Sequence, residues 1–461
     1  MKQIFSGKLL LLLVVLSVPV FSRAADLENT AAQNQAVLKN PAALFGNKFF
    51  YEPNPPASFS AATPEGAVTI HTTVKPEIQQ RLMNIFSRSG PLIAAAVVLD
   101  AKTGAVLAMG NQATKTGTGL LPEGAGNYCL YGGFPAASLI KIITASVGLE
   151  MKGFDTGHLE PVSGRYHTLY RSQVGIEHSP YKPEMVPLDK AFALSINPYF
   201  GKMWLDSFTD KDFLDFSQQL QFNKNLEFDL PVTKSRVIAP ADAFERAEVA
   251  SGYNTRTTIS PLHAALIAAM PSNGGRIMRP YIIDHIVDAN GKIIYSHITK
   301  TLAQPLSPRS VAQLAELMQG TVKSGTARGS FAPINQIGAA NGWLMGGKTG
   351  SIDLPEHTGR CDWFAGFGQS GQTSVAVACI LIHGSQRTMR SSYVGAEMIR
   401  AGLDPAGTYK LPAVKHVNKP APKKTPAVVA VQQSSKTPSP QTSQPAKTKK
   451  KRGTPSQHTG G

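Results

Sequence analysis

The chain has 461 residues, of which 42% are hydrophobic and 16% charged. This composition excludes a wholly disordered or fibrous chain and allows two or three globular domains. The net charge of +16 is unevenly spread. Eleven Lys and Arg and no Asp or Glu lie from Lys410 to Gly461, which leaves only +5 on the rest. Polyanion-seeking character therefore belongs to the tail, where an anionic wall or membrane polymer is the expected partner and no specific nucleic acid is.

The N-terminus reads as an export signal over residues 1–24. Lys2 and Lys8 supply positive charge, Leu9 to Phe21 is an apolar run of 13 residues, and Ser22-Arg23-Ala24 offers small residues for cleavage. The run is short for a membrane span of about 20 residues, although an uncleaved inner-membrane anchor is the alternative. Either way the rest is expected in the periplasm or cell envelope.

A weakly patterned leader follows, over 25–68. Val68–Thr73 reads as a strand, and Pro76 opens a helix with Ile78, Leu82, Ile85 and Phe86 on one face. Ala94–Leu99 and Ala105–Met109 flank the turn Asp100-Ala-Lys-Thr-Gly104 as a hairpin. A Gly-rich loop over 111–133 leads to a helix over 135–151. About 153–270 shows helical spacing. A second hairpin surrounds Asp288-Ala-Asn-Gly291, and Ser307 caps a helix to about Val322. Strands near 343–351, 362–367 and 373–383 and a helix over 391–401 close the folded part. The fold class is α+β: one antiparallel sheet flanked by helices, with an inserted helical subdomain. The tail over 410–461, with eight prolines and no aromatic residue, lacks the apolar surface to offset its ordering entropy.

Three motifs carry chemistry. Ser138-Leu-Ile-Lys141 puts a lysine amine one helical turn from a serine hydroxyl, so a desolvated lysine can activate a nucleophile. A serine at a helix start also presents its backbone N–H to an oxyanion. Ser179-Pro-Tyr-Lys182 repeats the spacing, but Pro180 and Pro183 argue for an irregular loop. Ser195-Ile-Asn197 follows a helical stretch and precedes Pro198, in a tight connection. Lys348-Thr349-Gly350, followed by Ser351, lies between strand signals. The copies Lys102-Thr-Gly104 and Lys115-Thr-Gly117 fall in a hairpin turn and a loop. Glycine beside the strand lysine lets a substrate backbone approach.

In this order and setting, the three motifs resemble those of the penicillin-recognising serine enzymes, the penicillin-binding transpeptidases and serine β-lactamases. Ala96–Met109, Thr258–His263, Gly325-Thr326-Ala327 and Asp362–Gly366 are similar to family segments, and the resemblance covers about 69–405. It implies a D,D-transpeptidase that acts on peptidoglycan stem peptides and is acylated by β-lactam antibiotics. It implies that Ser138 is the nucleophile, Lys141 its base and Ser195 a proton relay. Asn197 would hold the substrate amide, and Lys348 and Thr349 the terminal carboxylate. The N–H groups of Ser138 and Ser351 would form the oxyanion hole, and Gly350 would let the substrate backbone approach. No metal or cofactor is implied. The alternatives are a D,D-carboxypeptidase, a β-lactamase and a non-catalytic sensor or scaffold. A deacylating Glu-x-x-Leu-Asn element is missing; Glu227-Phe-Asp-Leu230 comes nearest. Cys129 and Cys361 read as lying in Gly-rich loops, and on this fold both are expected near the site, as a disulfide or as two free thiols.

Overall fold

The computed structural model describes residues 54–63, 66–88, 90–122 and 125–409. The expected signal, most of the leader and the basic tail lie outside the described residues. No helix among the described residues is long and apolar enough to cross a membrane.

The strands are β1 Ser58–Thr63, β2 Gly66–Thr72, β3 Ile93–Asp100, β4 Val106–Ala113, β5 Leu159–Val162, β6 Glu184–Pro187, β7 Ile277–Met278, β8 Ile283–Asp288, β9 Ile293–Ser296, β10 Thr301–Ala303, β11 Leu344–Asp353, β12 Arg360–Ser370 and β13 Thr373–His383. The helices are α1 Pro76–Ser87, α2 Lys115–Thr118, α3 Ile140–Met151, α4 Leu188–Leu194, α5 Asn197–Ser207, α6 Asp210–Gln219, α7 Ala243–Ser251, α8 Pro261–Ala269, α9 Pro308–Lys323, α10 Arg328–Asn341 and α11 Ser391–Leu403.

The central sheet is antiparallel, in the order β11-β12-β13-β3-β4. Its inner strands β3 and β13 carry continuous apolar runs, Ile93 to Leu99 and Val375 to Ile382, because both faces are covered there. Ala94, Ala96 and Val98 of β3 pack with Phe86 of α1 and Met398 of α11 on one face. Ala95, Val97 and Leu99 pack on the other with α3 and α8. The side-chain period of two sends alternate residues into two different cores. α8 is buried all round; Pro261 opens it, and the Ser260 hydroxyl accepts from the N–H of His263.

The expected single sheet is corrected. β1, β2, β8 and β9 form a separate four-stranded sheet, in which Ile70 stands opposite Ile286. Local patterning marks both strands, but their pairing spans more than 200 residues and is set by tertiary packing. The expected leader contains β1, whose Ser/Ala-rich sequence carries little strand signal, and ends inside β2. α10 was also illegible, because Pro333 sits in its interior.

The disulfide alternative is corrected as well: all three cysteines are buried free thiols. Cys129 Sγ donates toward the carbonyls of Ala96 (3.4 Å) and Gly110 (3.2 Å). Cys361 belongs to β12, opposite Ile352 and Ile382, and not to a loop.

Candidate active site

β11 is an edge strand, so one row of its backbone groups is free of sheet partners and borders a cleft of about 640 Å³. Opposite it stands the turn Ala137–Leu139 that leads into α3. The approach is tight. A Cβ added to Gly350 would stand 3.1 Å from the backbone nitrogen of Ser138, so a larger residue there would press β11 and the nucleophile turn apart by a few tenths of an ångström. The turn is itself strained, with Ala137 at φ 47° in the left-handed region. Gly252 packs beneath it, and the Trp363 indole donates to the carbonyl of Pro135 at 2.8 Å.

Lys141 is fully buried one turn along from Ser138. Its Nζ lies 2.7 Å from Ser138 Oγ, 2.7 Å from Asn197 Oδ1 and 2.5 Å from the carbonyl of Ser251. A neutral amine has two hydrogens and one lone pair. The hydrogens suit the two carbonyl oxygens, which leaves the lone pair aimed at the Ser138 hydroxyl. Burial, and then the charge of Lys348, hold the Lys141 pKa well below the usual lysine range.

Ser195 ends α4 in the left-handed conformation, φ 60° and ψ 47°, and this turn points its hydroxyl back into the cleft. Asn197 opens α5 and spans two partners: Oδ1 accepts from Lys141, and Nδ2 donates to the carbonyl of His167 at 3.1 Å. Lys348, also fully buried, donates to Ser195 Oγ at 2.8 Å and to the carbonyl of Thr349 at 2.8 Å. Burial pulls its pKa down to about 7. Thr349 Oγ1 lies 2.5 Å from Thr326 Oγ1, and Ser351 Oγ accepts from Arg360 at 3.2 Å.

The residues of all three motifs therefore meet around one cleft. The rival motif copies do not. Ser179 is half-buried, away from the cleft, and its hydroxyl accepts from the N–H of Tyr181 in its own loop at 3.3 Å. Lys102 and Lys115 lie in the β3–β4 turn and in α2. Glu227 is held by Lys300 at 2.9 Å and does not line the cleft.

Four features escaped the sequence. The Ser251 carbonyl and Gly252 carry no side-chain signature. Thr326 was seen only as part of a familiar segment. His167 is an isolated histidine whose pKa is lowered by desolvation and by Lys141 and Lys348.

The sequence profile of the penicillin-binding protein transpeptidase domain matches residues 94–403. The chain belongs to this family. The peptidoglycan D,D-transpeptidase PbpA of Mycobacterium tuberculosis is 26% identical over 381 residues, covering 75% of this chain and 74% of that protein. Its namesake in Mycolicibacterium smegmatis is 25% identical over 354 residues, 71% and 70% of the two chains. Among solved structures, the imipenem acyl-enzyme of penicillin-binding protein A from M. tuberculosis superposes with a TM-score of 0.59 at 24% identity, covering 72% of this chain and 80% of that one. The D,D-transpeptidase domain of a peptidoglycan glycosyltransferase from Eggerthella lenta gives 0.56 at 21%, with 74% and 84% covered. These likenesses carry the mixed helix and antiparallel-sheet fold onto this family member.

Proposed function

We propose that the protein is a penicillin-binding D,D-transpeptidase that cleaves the D-Ala-D-Ala end of peptidoglycan stem peptides through a serine acyl-enzyme. The observation that carries this reading is the buried Lys141 amine nitrogen 2.7 Å from Ser138 Oγ, in a site whose burial and second lysine favour the neutral amine. Ser138 Oγ attacks the penultimate carbonyl while Lys141 Nζ takes its proton. The oxyanion forms between the N–H groups of Ser138 and Ser351, on the two walls that Gly350 brings together. Lys348 and Thr349 receive the terminal carboxylate. Ser195, hydrogen-bonded to Lys348, passes a proton to the leaving amine. D-alanine departs, and an acceptor amine then attacks the ester. A β-lactam takes the same path, but its leaving group stays tethered. Export by the N-terminal segment, with catalysis on the envelope side of the inner membrane, is part of this proposal.

The fate of the ester separates this reading from a β-lactamase. The carboxylates lining the cleft among the described residues are Asp353 and Asp362, bound by Arg360 and Arg387. Neither is free to activate water. The test is incubation with a stem-peptide donor with and without an amine acceptor. A cross-linked product alongside released D-alanine supports transpeptidation. Release at one rate, with no cross-linked product, reassigns the enzyme as a carboxypeptidase.

A further inference from the structure

Beyond Ser351 the cleft changes character. Arg360 lies opposite Asp353 in the β11–β12 register and donates to it at 3.0 Å. Arg387 and Arg390 come from the loop between β13 and α11 and line the same end. That loop is tied down from below. Asp362, 4% exposed, stands opposite Ser351 and accepts from Arg387 Nε at 3.0 Å and from the backbone N–H of Ser391 at 3.1 Å. Burial opposes ionisation of Asp362, but the Arg387 guanidinium and the Ser391 N–H, with His383 Nε2 3.7 Å away, outweigh it and hold the pKa below the usual carboxylate range. Three guanidinium groups thus face two carboxylates, and the excess charge rests on Arg390, in the rim at the start of α11.

We infer that this end of the cleft is an anion subsite, with Arg390 as its reading residue and Asp362 as the positioning residue of its loop. Its ligand is a carboxylate on the acyl donor. The inference rests on the functional reading above, which places the donor's terminal carboxylate at Lys348 and Thr349 and its reacting carbonyl at Ser138. The rest of the donor then runs along β11 toward Asp353. Asp353 lies three positions beyond Gly350 on β11, about 10 Å at about 3.3 Å per residue. The residue preceding D-Ala-D-Ala is one residue beyond the one that carries the reacting carbonyl, so its backbone stops short of Asp353 and its side chain spans the remaining distance. An acid at the end of that side chain meets the uncompensated charge.

The experiment compares two donors of the form Nα-acyl-X-D-Ala-D-Ala. In one the side chain of X ends in a carboxylate, in the other in a carboxamide of the same length. Wild-type protein should show kcat/KM about tenfold higher for the carboxylate donor, the size of one partly exposed charge-assisted hydrogen bond. In Arg390→Gln the ratio of the two values should fall toward one, and Arg390→Lys should retain part of it. A ratio within one preparation does not depend on how much of a variant folds. Equal kcat/KM for both donors in wild type, or an unchanged ratio in Arg390→Gln, would overturn the subsite while leaving the transpeptidase reading intact. Failure of either donor to react, with no labelling of Ser138 by benzylpenicillin, would overturn both.

Discussion

A Cβ placed on Gly252 would stand 1.9 Å from the carbonyl oxygen of Ala137, the residue before the nucleophile. Gly252 holds φ 71°, so alanine there is strained twice, by its backbone and by the turn it would displace. Gly153 is the control, with φ 67° and nothing within 4 Å of an added Cβ. Gly153→Ala should cost about 1 kcal/mol for the backbone alone and keep penicillin labelling. Gly252→Ala should cost a further 1–3 kcal/mol, roughly, for overpacking and lose labelling as Ser138 moves. Thermal melts and fluorescent-penicillin gels on both variants check this; equal behaviour would separate Gly252 from the nucleophile turn.

The buried lysines set the pH dependence. With Lys348 near 7 and Lys141 lowered further by Lys348, the pair loses protons in two steps. Turnover needs Lys141 neutral and Lys348 charged, so kcat/KM for a carboxylate-bearing substrate should be bell-shaped. It should rise as Lys141 deprotonates and fall as the free enzyme's Lys348 deprotonates near pH 7. Both folded pKa values lie below those of the unfolded chain. The unfolded state therefore binds more protons between the folded values and about 10.4, and these lysines add stability as pH rises through that window. A pH–rate profile flat from pH 5 to 9 would contradict the assignment.

Asn197 tests the same network by substitution. Asn197→Asp places a carboxylate within hydrogen-bond reach of Lys141 Nζ, which favours the charged amine. The rising limb of the profile should move to higher pH by one unit or more, at about 1.4 kcal/mol per unit. Asn197→Ala should slow acylation without that displacement. Stopped-flow acylation across pH separates the two; an unmoved limb in Asn197→Asp would remove Asn197 from contact with the base.

The thiols give a structural check. Burial pushes Cys361 up to about 12 and Cys129 and Cys379 further. All three should resist iodoacetamide in native protein and react in denaturant, and reductant should leave the melting temperature unchanged. A Cys129–Cys361 peptide in a non-reducing digest would contradict the free thiols.

The motifs were legible because each is local. Ser138 and Lys141 share one helical turn, Ser195 and Asn197 one connection, and Lys348 to Gly350 one strand. What the sequence concealed is held by backbone or by long-range pairing. Ser251 contributes only its carbonyl, and Gly252 only the absence of a side chain. Asp362 reads as a strand residue until the β11–β12 register sets it opposite Ser351. The second sheet was hidden for the same reason, since β2 meets β8 across the whole helical insertion. Cys361 was misread because the neighbouring Gly359 suggests a loop where β12 begins.

Ser138 carries the acyl group, and intact-protein mass spectrometry after a β-lactam chase tests this most directly. A general base for deacylation is worth roughly 10²–10⁴-fold, and the two cleft carboxylates are held by arginines. One penicilloyl adduct per chain is expected, mapped to Ser138, lasting many minutes after free antibiotic is removed and absent in Ser138→Ala. Rapid return to the unmodified mass with continued antibiotic turnover, or an adduct that persists in Ser138→Ala, would contradict it.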